Sequence, residues 1–200
     1  MIHKLKTVVF SACILAILAG GVLAYKYSGI HWSSPTMEYY INRWLPWTWV
    51  WPLKAGANAW TNAGSNFVFV YKGRLAKGVS WTLATIDNIN VITRGALNPA
   101  TYPNVLALNH VWYYSESKEI VDSDIIFNTN YAWTVAGASW GYDVRNIAAH
   151  ELGHSLQLDD LYQASLSERT MYGYASKGET KKQTLHWDDK AGIKSIYGAK

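Results

Sequence analysis

Apolar positions recur along this chain with two different periods. Residues 36–42, 66–72, 89–93, 105–114 and 120–128 are short, aromatic or β-branched runs, and each predicts a strand. Between the first two, Trp49, Leu53 and Trp60 fall on one stripe of a helix. Thr48 can cap it, Pro52 is tolerated in its first turn, and Asn62-Ala63-Gly64 is a stop signal. A second helix is predicted from Asp143 to about Gln157. A third runs from near Asp188 to Tyr197-Gly198, with Asp188 or Asp189 at its positive end. Strands come early and helices late, which predicts an α+β packing of layers.

The first 24 residues follow neither period. Lys4 and Lys6 precede an apolar run from Thr7 to Ala24 that ends in small residues, with Val22-Leu23-Ala24 offering a cleavage site before Tyr25. That is the layout of a secretory signal peptide; an uncleaved anchor is the alternative, because the run is at the short end of the lengths that span a bilayer. The expected organisation is a signal peptide or anchor at 1–24, a short stub at 25–35 and one domain at 36–200, since no linker, charge block or repeat divides the remainder. The expected location is extracellular, or membrane-anchored with the domain outside.

Composition narrows the chemistry. Half of the 200 residues are apolar, with 11 Trp and 14 Tyr, so a packed core is expected and disorder is not. The net charge of +4 includes Lys4 and Lys6, which leaves the rest close to neutral and gives no indication of nucleic-acid binding. The only cysteine, Cys13, lies in the leader-like segment, so any metal in the domain must sit on His, Asp or Glu.

The sharpest feature is His150-Glu151-Leu152-Gly153-His154. Residues four apart on a helix project from one face, so both imidazoles can hold one ion, while Glu151 can reach water beside it without being a ligand. Ile147, Ala148, Leu152, Ser155 and Leu156 give the helix an apolar or small side, and buried histidines without a partner would be costly there. A catalytic zinc wants a third protein ligand and an open position. Asp160 lies six residues beyond His154, with Asp159 a competitor one residue earlier and Glu179 a more distant one among Lys177, Gly178, Lys181 and Lys182.

The spacing H-E-x-x-H-x-x-x-x-x-D resembles the metzincin clan of zinc proteases, with Gln157 where that clan carries a turn-forming glycine and Asp160 where it carries His or, less often, Asp. Thr170-Met171-Tyr172-Gly173-Tyr174 looks like the clan's methionine turn, with Met171 packing beneath the metal. Residues 185–198 are similar to the closing helix of the matrixin family, Ala55-Gly56-Ala57-Asn58-Ala59-Trp60 to its first helix, and Asp124-Ile125-Ile126-Phe127-Asn128 to the strand before the active helix. The similarity runs from about residue 36 to the end. It implies a twisted five-stranded mixed sheet with three helices, one catalytic Zn²⁺ on His150, His154 and Asp160, and Glu151 as general base. A protein or peptide substrate would then lie as an added strand along Leu106, Ala107, Leu108, Asn109 and His110. We expect a secreted monomeric zinc endopeptidase. Structural Ca²⁺ is compatible with the chain, but no spacing marks a site for it.

Two other readings compete. Gln157 could spoil the third-ligand turn and leave an inactive protein-binding module. Alternatively, the crowding of Trp44, Trp47, Trp49 and Trp51 could mark a cell-surface or wall-binding protein, with Trp44 and Trp47 the pair expected to be exposed. Latency through a pro-segment cysteine is excluded by the absence of that cysteine, and His31 is the stub's only obvious metal-ligand type.

Overall fold

The computed structural model describes residues 5–10, 25–77 and 86–200. Its elements in chain order are β1 (Leu5–Phe10), β2 (Thr36–Asn42), α1 (Trp47–Thr61), β3 (Val68–Leu75), β4 (Val91–Gly95), β5 (Ala107–Tyr114) and β6 (Ile120–Asn128). The two-residue strands β7 (Trp133–Thr134) and β8 (Tyr142–Asp143), α2 (Val144–Ser155) and α3 (Trp187–Tyr197) follow. The fold is α+β. Strands β2 to β6 form the expected five-stranded mixed sheet: β3, β2, β4 and β6 run parallel, and β5 lies antiparallel to β6. The structure adds a sixth strand, because β1 pairs antiparallel with the outer edge of β5, Leu5 opposite Tyr114 and Phe10 opposite Asn109. Residues 11–24, with Cys13 and the proposed cleavage site, lie outside the described residues.

Thr48 does not cap α1. The helix starts two residues earlier than that cap would set, with Pro46 at the cap position and no side-chain cap bond, and this places Pro52 in the second turn and not the first. Proline supplies the fixed φ of a helix entry, so the hydroxyl two residues later is not needed. The rest of α1 behaves as its stripe demands: Trp49, Leu53, Ala57 and Trp60 are buried against the sheet and α2. Trp49, Phe127 and Trp133 meet edge to face with centroids 4.9–5.8 Å apart, a geometry that adds to the area they bury. Trp60 is fully buried and donates its indole N–H to Ala149 O at 2.7 Å; truncating such a residue costs about 3–5 kcal/mol.

Close approach of α1 to α2 requires glycine at position 56, where a Cβ would lie 3.0 Å from Ala149 N and 3.1 Å from Ala148 Cβ. On its other side α2 is tied to the sheet by a buried polar network. Asn109 donates to Glu151 O at 2.7 Å and to Ser155 Oγ at 2.8 Å, while Ser123 donates to Asn109 Oδ1 at 3.0 Å. Buried amides and hydroxyls tolerate few arrangements, so the network fixes the rotation of α2 about its axis.

The stub is packed along the body. Trp32 donates its indole N–H to Ser155 O at 2.8 Å, and His31 sits in a bridge with Glu119, its carbonyl accepting from Ile120 N at 2.8 Å. His31 is therefore held at the strand β6 entry.

Candidate functional site

Asp143 caps α2, its Oδ1 accepting from Asn146 N at 2.8 Å and its Oδ2 from Gly137 N at 3.0 Å. About two and three turns later the helix presents His150, Glu151 and His154, all buried. After the helix the chain reverses at Gln157, whose φ is 67°, the left-handed region that favours glycine. Gln157 adopts it with compensation: its side chain donates to His154 O at 3.1 Å and accepts from Ser28 Oγ at 2.8 Å. Asp159 N donates to Lys26 O at 2.7 Å, and Tyr27 bridges Leu158. The stub thus forms a short antiparallel splint on the reversing segment.

That reversal brings Asp160 to the imidazoles. Asp160 Oδ1 is 3.1 Å from His150 Nε2 and 3.5 Å from His154 Nε2, and the two Nε2 atoms are 3.2 Å apart. Among the described residues, these three side chains form the one cluster whose donor atoms could hold a metal ion, all within 4.8 Å of one another. Asp159 instead pairs with Lys26 at 3.0 Å, and Glu179 with Lys182 at 3.2 Å. His110, buried in β5, stacks near Trp112 and is not in the cluster.

The donor chemistry suits a divalent cation. His150 Nδ1 faces Thr170 O and His154 Nδ1 faces Leu158 O, each at 2.8 Å. A ring nitrogen facing a carbonyl carries the proton, so each Nε2 lone pair points inward, the orientation that metal-ligating histidines adopt. Asp160 Oδ1 and Glu151 Oε2 are buried without a hydrogen-bond partner. Lone pairs that converge this closely among buried side chains call for a positive charge between them. Burial opposes charge on His154, yet the Asp160 carboxylate beside it lifts its pKa to about 9. Burial likewise works to raise Asp160, but the imidazoles hold it well below the carboxylate range, whereas burial pushes Glu151 up.

Several supporting groups surround the cluster, and all but Met171, which the methionine-turn resemblance names, escape sequence reasoning. Tyr162 OH donates to Asp160 Oδ2 at 3.1 Å and so orients the third donor. Met171 lies under the cluster: a Cβ on Gly153 would be 2.2 Å from its sulfur. Asp189 holds the Met171 turn from α3, accepting from Thr170 N and His186 N at 2.9 Å each. Lys182 is buried, donates to Tyr174 O, and lines the cleft with Ile147, Tyr174 and Ala175. These contacts bridge distant segments, and no local period signals them.

Of the expected substrate edge, Leu106 and Ala107 line the cleft together with Asn104 and Val105. Leu108 is buried, Asn109 turns into the interlayer network, and the backbone edge from Asn109 onward faces β1.

Comparison with known proteins bears on the same segment. The matrixin family model matches residues 104–198, which hold β5, β6, α2, the third-ligand turn and α3. A hatching enzyme from Paracentrotus lividus is 37% identical over 78 residues, which cover 39% of this chain and 12% of that protein. The chain therefore spans a small part of that relative's length.

Proposed function

We propose that this matrixin-like chain is a secreted zinc-dependent endopeptidase, with His150, His154 and Asp160 as metal ligands and Glu151 as the general base. The observation that carries the reading is the convergence of two inward Nε2 lone pairs and one unpartnered carboxylate oxygen in a buried site at the floor of an open cleft. Zinc held there would supply Lewis acidity, acidifying water and polarising a scissile carbonyl.

The chain's own groups do the rest. Carbonyls of Thr170 and Leu158 keep each imidazole in the tautomer that offers Nε2. Glu151 carries a buried Oε2 without a partner and a carboxyl pushed up by burial, so it can take a proton from the attacking water and return it to the leaving amine. The backbone from Asn104 to Ala107 lines the cleft, and with the export segment that carries β1 removed the edge of β5 continues from it, where a substrate strand would dock by main-chain hydrogen bonds. Gln157 favours the active over the inactive reading, because it makes the left-handed turn that delivers Asp160. We read residues 1–24 as an export signal. Among the described residues no helix is long and apolar enough to cross a membrane.

Metal analysis of the purified chain followed by casein hydrolysis tests the reading. One equivalent of zinc, cleavage abolished by chelator, and a Glu151→Gln variant that keeps zinc but loses roughly a thousandfold in rate are expected. Stoichiometric zinc with no cleavage of any protein substrate would favour the binding module.

A further inference from the structure

Three tryptophans within eight residues face solvent: Trp44, Trp47 and Trp51 are 58%, 76% and 67% exposed. Trp47 and Trp51 lie one turn apart on α1, so they share a face. Trp44 sits in the turn that enters the helix. The opposite stripe, Trp49, Leu53 and Trp60, already supplies the core contact, so folding gives no reason for the outer three. A cluster of this kind marks an interaction surface more than a scatter of single apolar residues does.

The cluster is held in place. The Arg74 guanidinium lies 4.0 Å over the Trp47 ring and donates to Arg43 O at 2.6 Å and to Leu45 O. Trp44 N donates to Asn42 Oδ1 at 3.1 Å, and Leu45 between the two indoles is buried. Arg145, from the first turn of α2, lies 5.7 Å over Trp51. Because the turn is already ordered, docking would cost little conformational entropy.

Charge identifies the partner. From Tyr39 to Ile86 the chain holds five basic residues and no acidic one; Lys72 and Lys77 pair with Glu38 and with Asp87 and Asp124 from outside that stretch, which leaves Arg43, Lys54 and Arg74. Arg43 is exposed beside Trp44, and Lys54 lies 4.7 Å over the Tyr71 ring on the same helix. Among the described residues Arg43, Lys54, Arg74 and Arg145 are in no ion pair, in contrast to Lys72 and Lys77. Indoles seat at the headgroup level of a bilayer, with the ring in the acyl boundary and the N–H in the wet layer, and nearby cations are drawn to anionic lipids. Arg74 and Arg145 order the indoles, but a neutral glycan would use the rings and leave Arg43 and Lys54, which lie over none of the three, without a role.

We propose that Trp44, Trp47 and Trp51, with Arg43, Lys54 and Arg74 around them, form a docking surface for an anionic phospholipid bilayer.

Co-sedimentation of the full chain with vesicles of phosphatidylcholine and phosphatidylglycerol at about 3:1, and with phosphatidylcholine alone, tests this in low salt and at about 0.5 M salt. The N-terminal apolar segment is common to every variant, so differences between variants report the tryptophan surface. Substituting Trp44→Ala, Trp47→Ala and Trp51→Ala together should weaken binding to anionic vesicles at least about tenfold. It should also remove the quenching of tryptophan emission by shallow brominated lipid. Arg43→Glu with Lys54→Glu, which leaves the core untouched, should weaken binding to anionic but not neutral vesicles, and high salt should mimic it. Variants that bind as the wild type does, or a wild type that stays in the supernatant or prefers a neutral polysaccharide resin, overturn the proposal.

Discussion

At Gln157 the backbone stands at φ 67° with a side chain that is fully buried. The conformation costs a non-glycine residue about 1 kcal/mol or more, while the two side-chain hydrogen bonds, to His154 O and from Ser28 Oγ, return roughly 0.5–1.5 kcal/mol each. The balance explains why a turn that reads as a glycine position accepts glutamine. It also couples the stub to the third donor. Gln157→Ala keeps the backbone cost and loses both bonds, so it should destabilise by about 1–3 kcal/mol in urea unfolding. Gln157→Gly loses the same bonds but sheds the strain, and should be the milder of the two by about 1 kcal/mol. Equal effects would show that the left-handed backbone carries no cost in this turn.

Among the elements, β6 shows what a period can and cannot reveal. Its apolar run marks the strand at residues 120–128, and the structure has it there. The same run says nothing of Asp122 and Asp124, which read as hydrophilic interruptions and prove to be buried. Asp122 Oδ2 accepts from Asp87 N and Asn88 N, Asp124 Oδ1 accepts from Val91 N at 2.9 Å, and Lys77 at the end of β3 reaches Asp87 at 2.9 Å and Asp124 at 3.2 Å. These partners are far apart in the chain. Legibility follows the same line elsewhere: the helical spacing of His150 and His154 and the turn to Asp160 were readable because they are local, while Asn109, Ser123, Tyr162 and Lys182 join through tertiary packing. Burial, then the charge of Asp122, pushes the Asp124 carboxyl up to about 7 despite Lys77. An unfolded aspartate titrates near 3.9, so the native state binds the extra proton between those values. This contribution favours the fold fully below about pH 4 and is lost as the pH rises through 7. Unfolding free energy measured from pH 4 to 8 should contain this downward component, and Asp124→Asn should flatten it. An unchanged slope in the variant would mean that Asp124 ionises normally in the fold.

For the molecule as a whole, the proposed metal would join three segments: α2 through His150 and His154, the reversing segment through Asp160, and, through Thr170 O on the His150 ring, the Met171 turn that Asp189 anchors to α3. A ligand that binds only the folded state stabilises it by about 2.7 kcal/mol at a hundred times its dissociation constant. For a domain of this size each kcal/mol moves the melting temperature by about 2–4 °C. Chelation should therefore lower the melting temperature of the wild type by several degrees, and zinc added back should restore it. In Asp160→Ala the chelator should have little further effect, because the third donor is gone and affinity with it. Glu151→Gln separates stability from chemistry: Glu151 is near the metal and outside the ligand set, so the variant should show the full chelator shift while failing to cleave casein. A chelator shift that survives in Asp160→Ala at wild-type size would place the bound ion elsewhere in the chain, and the hydrolytic reading would fall with it.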